Sequence, residues 1–158
     1  MATSVIEMKK ADEATRLEIV RVIKASKQRV FDAWTRPEMI RRWFRPGTDS
    51  VADASMDAHE GGAWRLAMTG GCAEPDANGY HVVTGRYTKV DPWDVLQFTW
   101  KRAASPEEES LVTIELKDVA GGTEMKLTHE RFLTEESRDR HANGWGSVLG
   151  RLQEFFAA

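Results

Sequence analysis

Hydrophobic positions alternate with others in four stretches of the chain. Trp64, Leu66 and Met68 alternate with Arg65 and Ala67; Leu96, Phe98 and Trp100 alternate with Gln97 and Thr99. Val112, Ile114 and Leu116 alternate with Thr113 and Glu115; Met125, Leu127 and His129 alternate with Lys126 and Thr128. A period of two predicts antiparallel strands with one buried and one wet face. Thr15 to Ile23, rich in Leu, Ile and Val, reads as a first strand. Tyr80 to Val90 reads as another, with a bulge or bend predicted at Gly85. Glycine- or proline-containing pairs separate these runs: Gly61-Gly62, Gly70-Gly71, Asn78-Gly79, Asp91-Pro92, Ser105-Pro106 and Gly121-Gly122.

The pattern changes period in three places. Val30, Phe31 and Trp34 recur at helical spacing behind a possible cap at Ser26. Thr35 and Glu38 form a capping-box pattern, with Pro37 in the first turn, so a second short helix is expected to about Phe44. From about Glu135 to Phe156, Trp145, Val148, Leu149, Leu152 and Phe156 make one apolar stripe, with Thr134 as the cap. A helix of about 22 residues is a rod of ~33 Å, long enough to lie across a sheet. The predicted fold is α+β: a curved antiparallel sheet of about six to seven strands around a long C-terminal helix, with two short helices after the first strand. The expected division is a flexible segment over 1–14 and a single domain over 15–158.

Several of these local patterns, in this order, resemble the SRPBCC superfamily, also called START-like or birch-pollen-allergen-like. Within it the chain is similar to homologues of the activator of the ninety-kilodalton heat-shock protein's ATPase. The resemblance rests on Val30-Phe-Asp-Ala-Trp34 with Trp43-Phe44, Gly61-Gly62-Ala-Trp64, Gly85-Arg-Tyr87 through Asp91-Pro92, Leu96-Gln-Phe-Thr-Trp100, Gly122-Thr-Glu-Met-Lys-Leu-Thr-His129 and Gly144-Trp145. It spans about Thr15 to Phe156. It implies a helix-grip fold with a cavity between the long helix and the sheet, where superfamily members hold hydrophobic or amphipathic molecules. It also implies a stress-response role with possible chaperone contact. The eukaryotic co-chaperone has an extra N-terminal domain that engages the chaperone. The short stretch before Thr15 leads to the expectation that ATPase activation is not carried over.

Composition narrows the remaining classes. The chain has 158 residues, 41% hydrophobic and 30% charged, with a net charge of −3, which suits an ordinary globular domain and not a nucleic-acid binder. One cysteine, Cys72, rules out an internal disulfide, and no stretch approaches the ~20 apolar residues of a membrane span. A cytoplasmic protein is expected. Four scattered histidines, no HExxH pair and no CxxC motif give no metal signature. No GxSxG elbow or phosphate loop appears, so neither a catalytic nucleophile nor a cofactor is assigned.

The candidate ligand-binding residues are therefore inward-facing ones. From the sheet come Trp64, Met68, Tyr87, Phe98, Trp100, Met125 and His129; from the helices come Trp43, Phe44, Trp145 and Leu149. This aromatic and Met-rich wall suits a small hydrophobic molecule. His129 reads either as a satisfied core histidine or as a ligand-facing acid or base. With Tyr87 and Arg86 it would serve the alternative of a cyclase-, aromatase- or hydrolase-like enzyme. The Arg41-Arg42-Trp43-Phe44-Arg45 run is either a solvated helix face with Trp43 packed inward or a patch for an anion or partner. Glu107-Glu108-Glu109 reads as a solvated loop. Glycines flanking Trp145 cost roughly 1 kcal/mol each in a helix, for either a packing or a cavity reason. A homodimer through exposed strand edges is compatible with the sequence.

Overall fold

A computed structural model describes residues 13–45, 50–69 and 79–157. Cys72, Gly70-Gly71 and most of the segment 1–14 lie outside the described residues. Seven strands form one antiparallel sheet in the order β1-β7-β6-β5-β4-β3-β2. The strands are β1 Arg16–Ile23, β2 Ser50–Met56, β3 Ala63–Thr69, β4 His81–Asp91, β5 Val95–Arg102, β6 Glu109–Val119 and β7 Gly122–Glu130. The helices are α1 Lys27–Thr35, α2 Pro37–Trp43 and α3 Glu135–Ala157. The helix-grip fold implied by the family resemblance is therefore present, with α3 lying along the buried face of the curved sheet.

The register explains where the side chains go. Tyr87, Phe98, Val112, His129 and Leu17 stand opposite one another in turn across β4, β5, β6, β7 and β1. All five are buried. On the other side of that layer, α3 turns Trp145, Val148, Leu149, Leu152 and Phe156 inward, all of them buried. The stripe read from the sequence is thus the face that meets the sheet.

The caps hold in part. Ser26 Oγ accepts from the Arg29 backbone N–H at 3.3 Å and starts α1. Thr134 Oγ1 accepts from the Ser137 N–H at 3.0 Å and starts α3. The Thr35–Glu38 capping box does not form. Thr35 is the last residue of α1, and its hydroxyl donates back to the Phe31 carbonyl at 3.0 Å. Arg36 takes the cap position of α2 in an extended conformation. That is the conformation a following proline imposes on its neighbour.

Gly85 is not the bulge. The register shift in β4 falls between Tyr87 and Lys89. A Cβ at Gly85 would run into the Thr99 carbonyl and the Trp64 indole nitrogen. Trp64 Nε1 donates to that same carbonyl at 3.2 Å. Gly85 is thus the notch through which the Trp64 ring crosses β4. Gly144 and Gly146 behave oppositely: a Cβ at either position meets nothing within 4 Å. Close packing therefore does not explain them.

These contrasts set an expectation for chemical denaturation. Gly85→Ala should lose roughly 1–3 kcal/mol by overpacking. Gly146→Ala should gain up to about 1 kcal/mol from helix propensity alone. Equal behaviour of the two variants would contradict the notch.

Candidate functional site

Five of the six tryptophans are buried in one cluster with Phe44 and Phe98, while Trp93 is exposed. Trp145 on α3 packs 5.2 Å from Trp100, 5.9 Å from Phe44 and 6.0 Å from Trp34, measured between ring centroids. Trp34 meets Trp43 edge-on at 4.8 Å. Trp64 lies 5.4 Å from Phe98 and 5.5 Å from Trp100. Such tilted and edge-on pairs are the favoured aromatic geometries.

A polar chain runs through this cluster. Trp145 Nε1 donates to His129 Nδ1 at 2.9 Å. An indole nitrogen can only donate, so Nδ1 carries no proton. The proton of the neutral ring is on Nε2, which donates to Ser110 Oγ at 2.6 Å. The Ser110 hydroxyl donates onward to the Trp100 carbonyl at 3.2 Å. Burial, with nearby His141 a smaller contributor, holds His129 far below the usual histidine range. Both ring nitrogens are occupied and the ring is fully buried. His129 is therefore a satisfied core histidine, withdrawn from acid–base work near neutral pH. Ser110 is missing from the sequence reading, although it shares the parity of Val112, Ile114 and Leu116.

His141, one helical turn before Trp145, packs against Phe132 at 4.8 Å and against His129 at 5.2 Å. Burial lowers its pKa, and the hydrogen bond of its Nδ1 to the Ser137 carbonyl partly opposes that. Glu108 contradicts the reading of its run as a solvated loop. One carboxylate oxygen accepts from the Leu133 N–H at 2.8 Å and the other from Ser137 Oγ at 2.7 Å. This ties the β5–β6 loop to the start of α3, where negative charge is favoured.

A void remains where α1 and α2 approach β2 to β5. It is lined by Trp34, Ile40, Phe44, Met56, Trp64, Leu66, Tyr87, Phe98 and Trp100. Five expected ligand-binding residues meet there: Phe44, Trp64, Tyr87, Phe98 and Trp100. The others do not reach it. Trp43 donates to the Ala33 carbonyl at 3.0 Å, and Met125 accepts from Trp34 Nε1 at 3.3 Å. Met68 and Leu149 are packed in the core, and His129 and Trp145 pair with each other behind Trp100. The void thus lies under α1 and α2, with no α3 residue in its wall. Its volume is about 20 Å³. That admits about one water, far below the ~300 Å³ of an open ligand pocket. Trp34, Ile40, Met56 and Leu66 complete its lining, and sequence reasoning had not placed them in the site. Arg86 points away from it, exposed and bonded to the Gly61 carbonyl at 3.1 Å. Burial raises the Tyr87 phenol pKa, with the Asp57 carboxylate adding to it, so the hydroxyl stays neutral.

Among the described residues no group of three or more His, Cys, Asp or Glu stands together as a metal site, and no helix is long and apolar enough to cross a membrane. A family model described as activator of Hsp90 ATPase homolog 1-like protein matches residues 24–157. No curated protein matches the chain. Among solved structures, a protein from Rhodobacter sphaeroides is 26% identical with a TM-score of 0.76, over 91% of this chain and 93% of the other. A protein from Rhizobium leguminosarum is 26% identical with a TM-score of 0.70, over 90% and 93% of the two chains. The AHSA1 protein from Silicibacter pomeroyi, 22% identical, shares the fold with a TM-score of 0.77, over 90% and 97%.

The two depressed histidines make stability pH-dependent with a definite sign. Their ordinary value is 6.5, and both lie below it in the folded protein. As pH falls through that value the unfolded chain binds protons that the folded chain does not. Stability is therefore complete above about pH 7 and declines below it, by up to about 1.4 kcal/mol per pH unit for each histidine. His129→Leu should flatten that decline by about half. It should also cost roughly 1–3 kcal/mol at pH 8 by stranding the Trp145 N–H. Urea unfolding of both proteins across this range checks it, and identical slopes would contradict it.

Proposed function

The chain belongs to the family of activator of Hsp90 ATPase homolog 1-like proteins, and from that premise we propose that it binds a compact, uncharged, apolar or aromatic molecule between α1–α2 and β3–β5. The helix-grip fold supports ligand binding in general. The observation that carries this reading is the unfilled space beside Phe44, Trp64 and Trp100, with no charged side chain in its wall. An apolar void that offers water no polar partners stays dry, and it admits apolar guests once it is large enough.

At about 20 Å³ the space must widen before a ring can enter. Two neighbours can give way. Met56 ends β2, is only half-buried, and has the adaptable side chain of a thioether. Phe44 caps the end of α2, outside the helix proper. A guest then stabilises a wider arrangement by its preferential affinity for it. The absence of a free acid–base group in the wall favours binding without turnover.

Toluene is a suitable probe. Phe44→Ala should lose about 3–5 kcal/mol of stability and enlarge the void. Saturating toluene should raise the melting temperature of the parent slightly and of Phe44→Ala by more, as linkage requires. If neither protein responds to toluene in thermal unfolding, this pocket is not a binding site.

A further inference from the structure

Among the described residues the sheet has two edge strands, β1 and β2, each paired on one side only. An open edge presents unpaired backbone N–H and C=O groups to any other strand. β1 carries the greater hazard. Its outer-face side chains, opposite in parity to buried Leu17 and Ile23, are Arg16, Glu18, Val20 and Val22. Arg16 lies 2.6 Å from Glu18, and Lys126 lies 3.8 Å from it, so the first half of the strand is charged. Val20 and Val22 are each 48% exposed, so the second half sets an apolar, β-branched surface beside the edge.

Backbone groups of successive strand residues point to alternate sides. The Thr15 carbonyl accepts from the Phe132 N–H just beyond β7. Odd-numbered residues of β1 therefore face β7, and even-numbered ones face the open side. Both open-side carbonyls of the apolar half are already occupied. Val20 O accepts from the Arg21 guanidinium at 3.0 Å. Val22 O accepts from the Gln153 side-chain amide of α3 at 3.2 Å. Both bonds are exposed, where water serves the same carbonyls, so neither is needed to satisfy a buried group. Arg21 also shares the parity of Leu17, Ile19 and Ile23, and an inward-pointing charge on an edge strand opposes pairing. The other edge is treated alike. β2 is broken by its bulge between Val51 and Asp53, α2 packs against it, and Arg41 Nη2 donates to the Ala52 carbonyl at 3.2 Å.

We propose that Arg21 and Gln153 are edge guards, which keep β1 from pairing with β1 of a second copy of this chain. The sequence of the strand points to that partner. An antiparallel register that sets Val20 opposite Val22 of the second copy gathers four valines into one apolar patch. The same register sets the two Arg21 side chains opposite each other, and like charges there are destabilising. Arg21 thus opposes pairing twice, by its charge and by its hold on Val20 O, and Gln153 withholds Val22 O. The homodimer through strand edges that the sequence allows is the assembly this arrangement resists. The proposal is independent of ligand binding.

Arg21→Thr combined with Gln153→Ala frees both carbonyls and removes the like-charge pair. In sedimentation velocity over a wide range of concentration, this double variant should self-associate at least about tenfold more tightly than the parent. Hydrogen exchange at the Val20 and Val22 amides should slow as its concentration rises, because pairing takes up the groups on the open side. Adding Val20→Lys should restore the parent's behaviour, since a lysine on the edge blocks pairing. That triple variant keeps any loss of stability, so it separates strand pairing from unfolding. The proposal is overturned if the double variant is as monomeric as the parent, or if it associates with both amides unprotected. It is equally overturned if Val20→Lys leaves the association unchanged, or if the parent already pairs through β1. Should the double variant fail to fold, Arg21→Thr alone is measured in the same way against the same outcomes.

Discussion

The hydrogen bond from Trp145 Nε1 to His129 Nδ1 joins the long helix to the sheet at the centre of the core. Its direction is forced, because an indole can only give a proton and the imidazole must present a bare nitrogen. From there the polarity of the chain is set: His129 Nε2 gives to Ser110, and Ser110 gives to the Trp100 carbonyl. Three elements, α3, β7 and β6, are thereby locked to β5 through polar atoms. In a core otherwise made of rings and aliphatic chains, a network this short is satisfied completely or is expensive. It fixes where Trp145 stands, and Trp145 in turn meets Trp34, Phe44 and Trp100.

That packing decides where the grip leaves room. The space directly under α3 is occupied by Trp145, Val148, Leu149 and Leu152, all essentially buried. The looser region lies to the side, where two short helices meet strands β2 to β5. The helix-grip architecture leaves room wherever its layers diverge, and in this chain the divergence is under α1 and α2. Glu108 adds a second anchor at the far end of α3, where it accepts from the helix start. The helix is thus pinned at its first turn and at its middle.

Much of this was legible in the residues. Strict alternation identified β3, β5, β6 and β7, because a one-sided sheet imposes period two. The α3 stripe named its inward face residue by residue. β2 was not identified. Its sequence, Ser50–Met56, is rich in Ala, Asp and Ser, sits at the sheet edge and is broken by a bulge between Val51 and Asp53. Propensity and periodicity both fade there. The capping box at Thr35 failed because a threonine hydroxyl can also satisfy the carbonyl four residues back. The lining of the void was half visible. Inward parity found Trp64, Phe98 and Trp100, but nothing local says that Trp34 and Met56 converge on them. Parity also carried Ser110, yet a serine in an aromatic core gains meaning only when its histidine partner is known.

The state of the His129 ring tests this structure most directly. Its nitrogen shifts can be followed by ¹⁵N–¹H correlation spectroscopy from neutral pH down to acid unfolding. The expected result is a neutral ring protonated on Nε2, with a bare Nδ1 coupled to the Trp145 indole proton, and no titration while the protein stays folded. A ring protonated on Nδ1, or one that titrates near the ordinary histidine value in the native state, would contradict it.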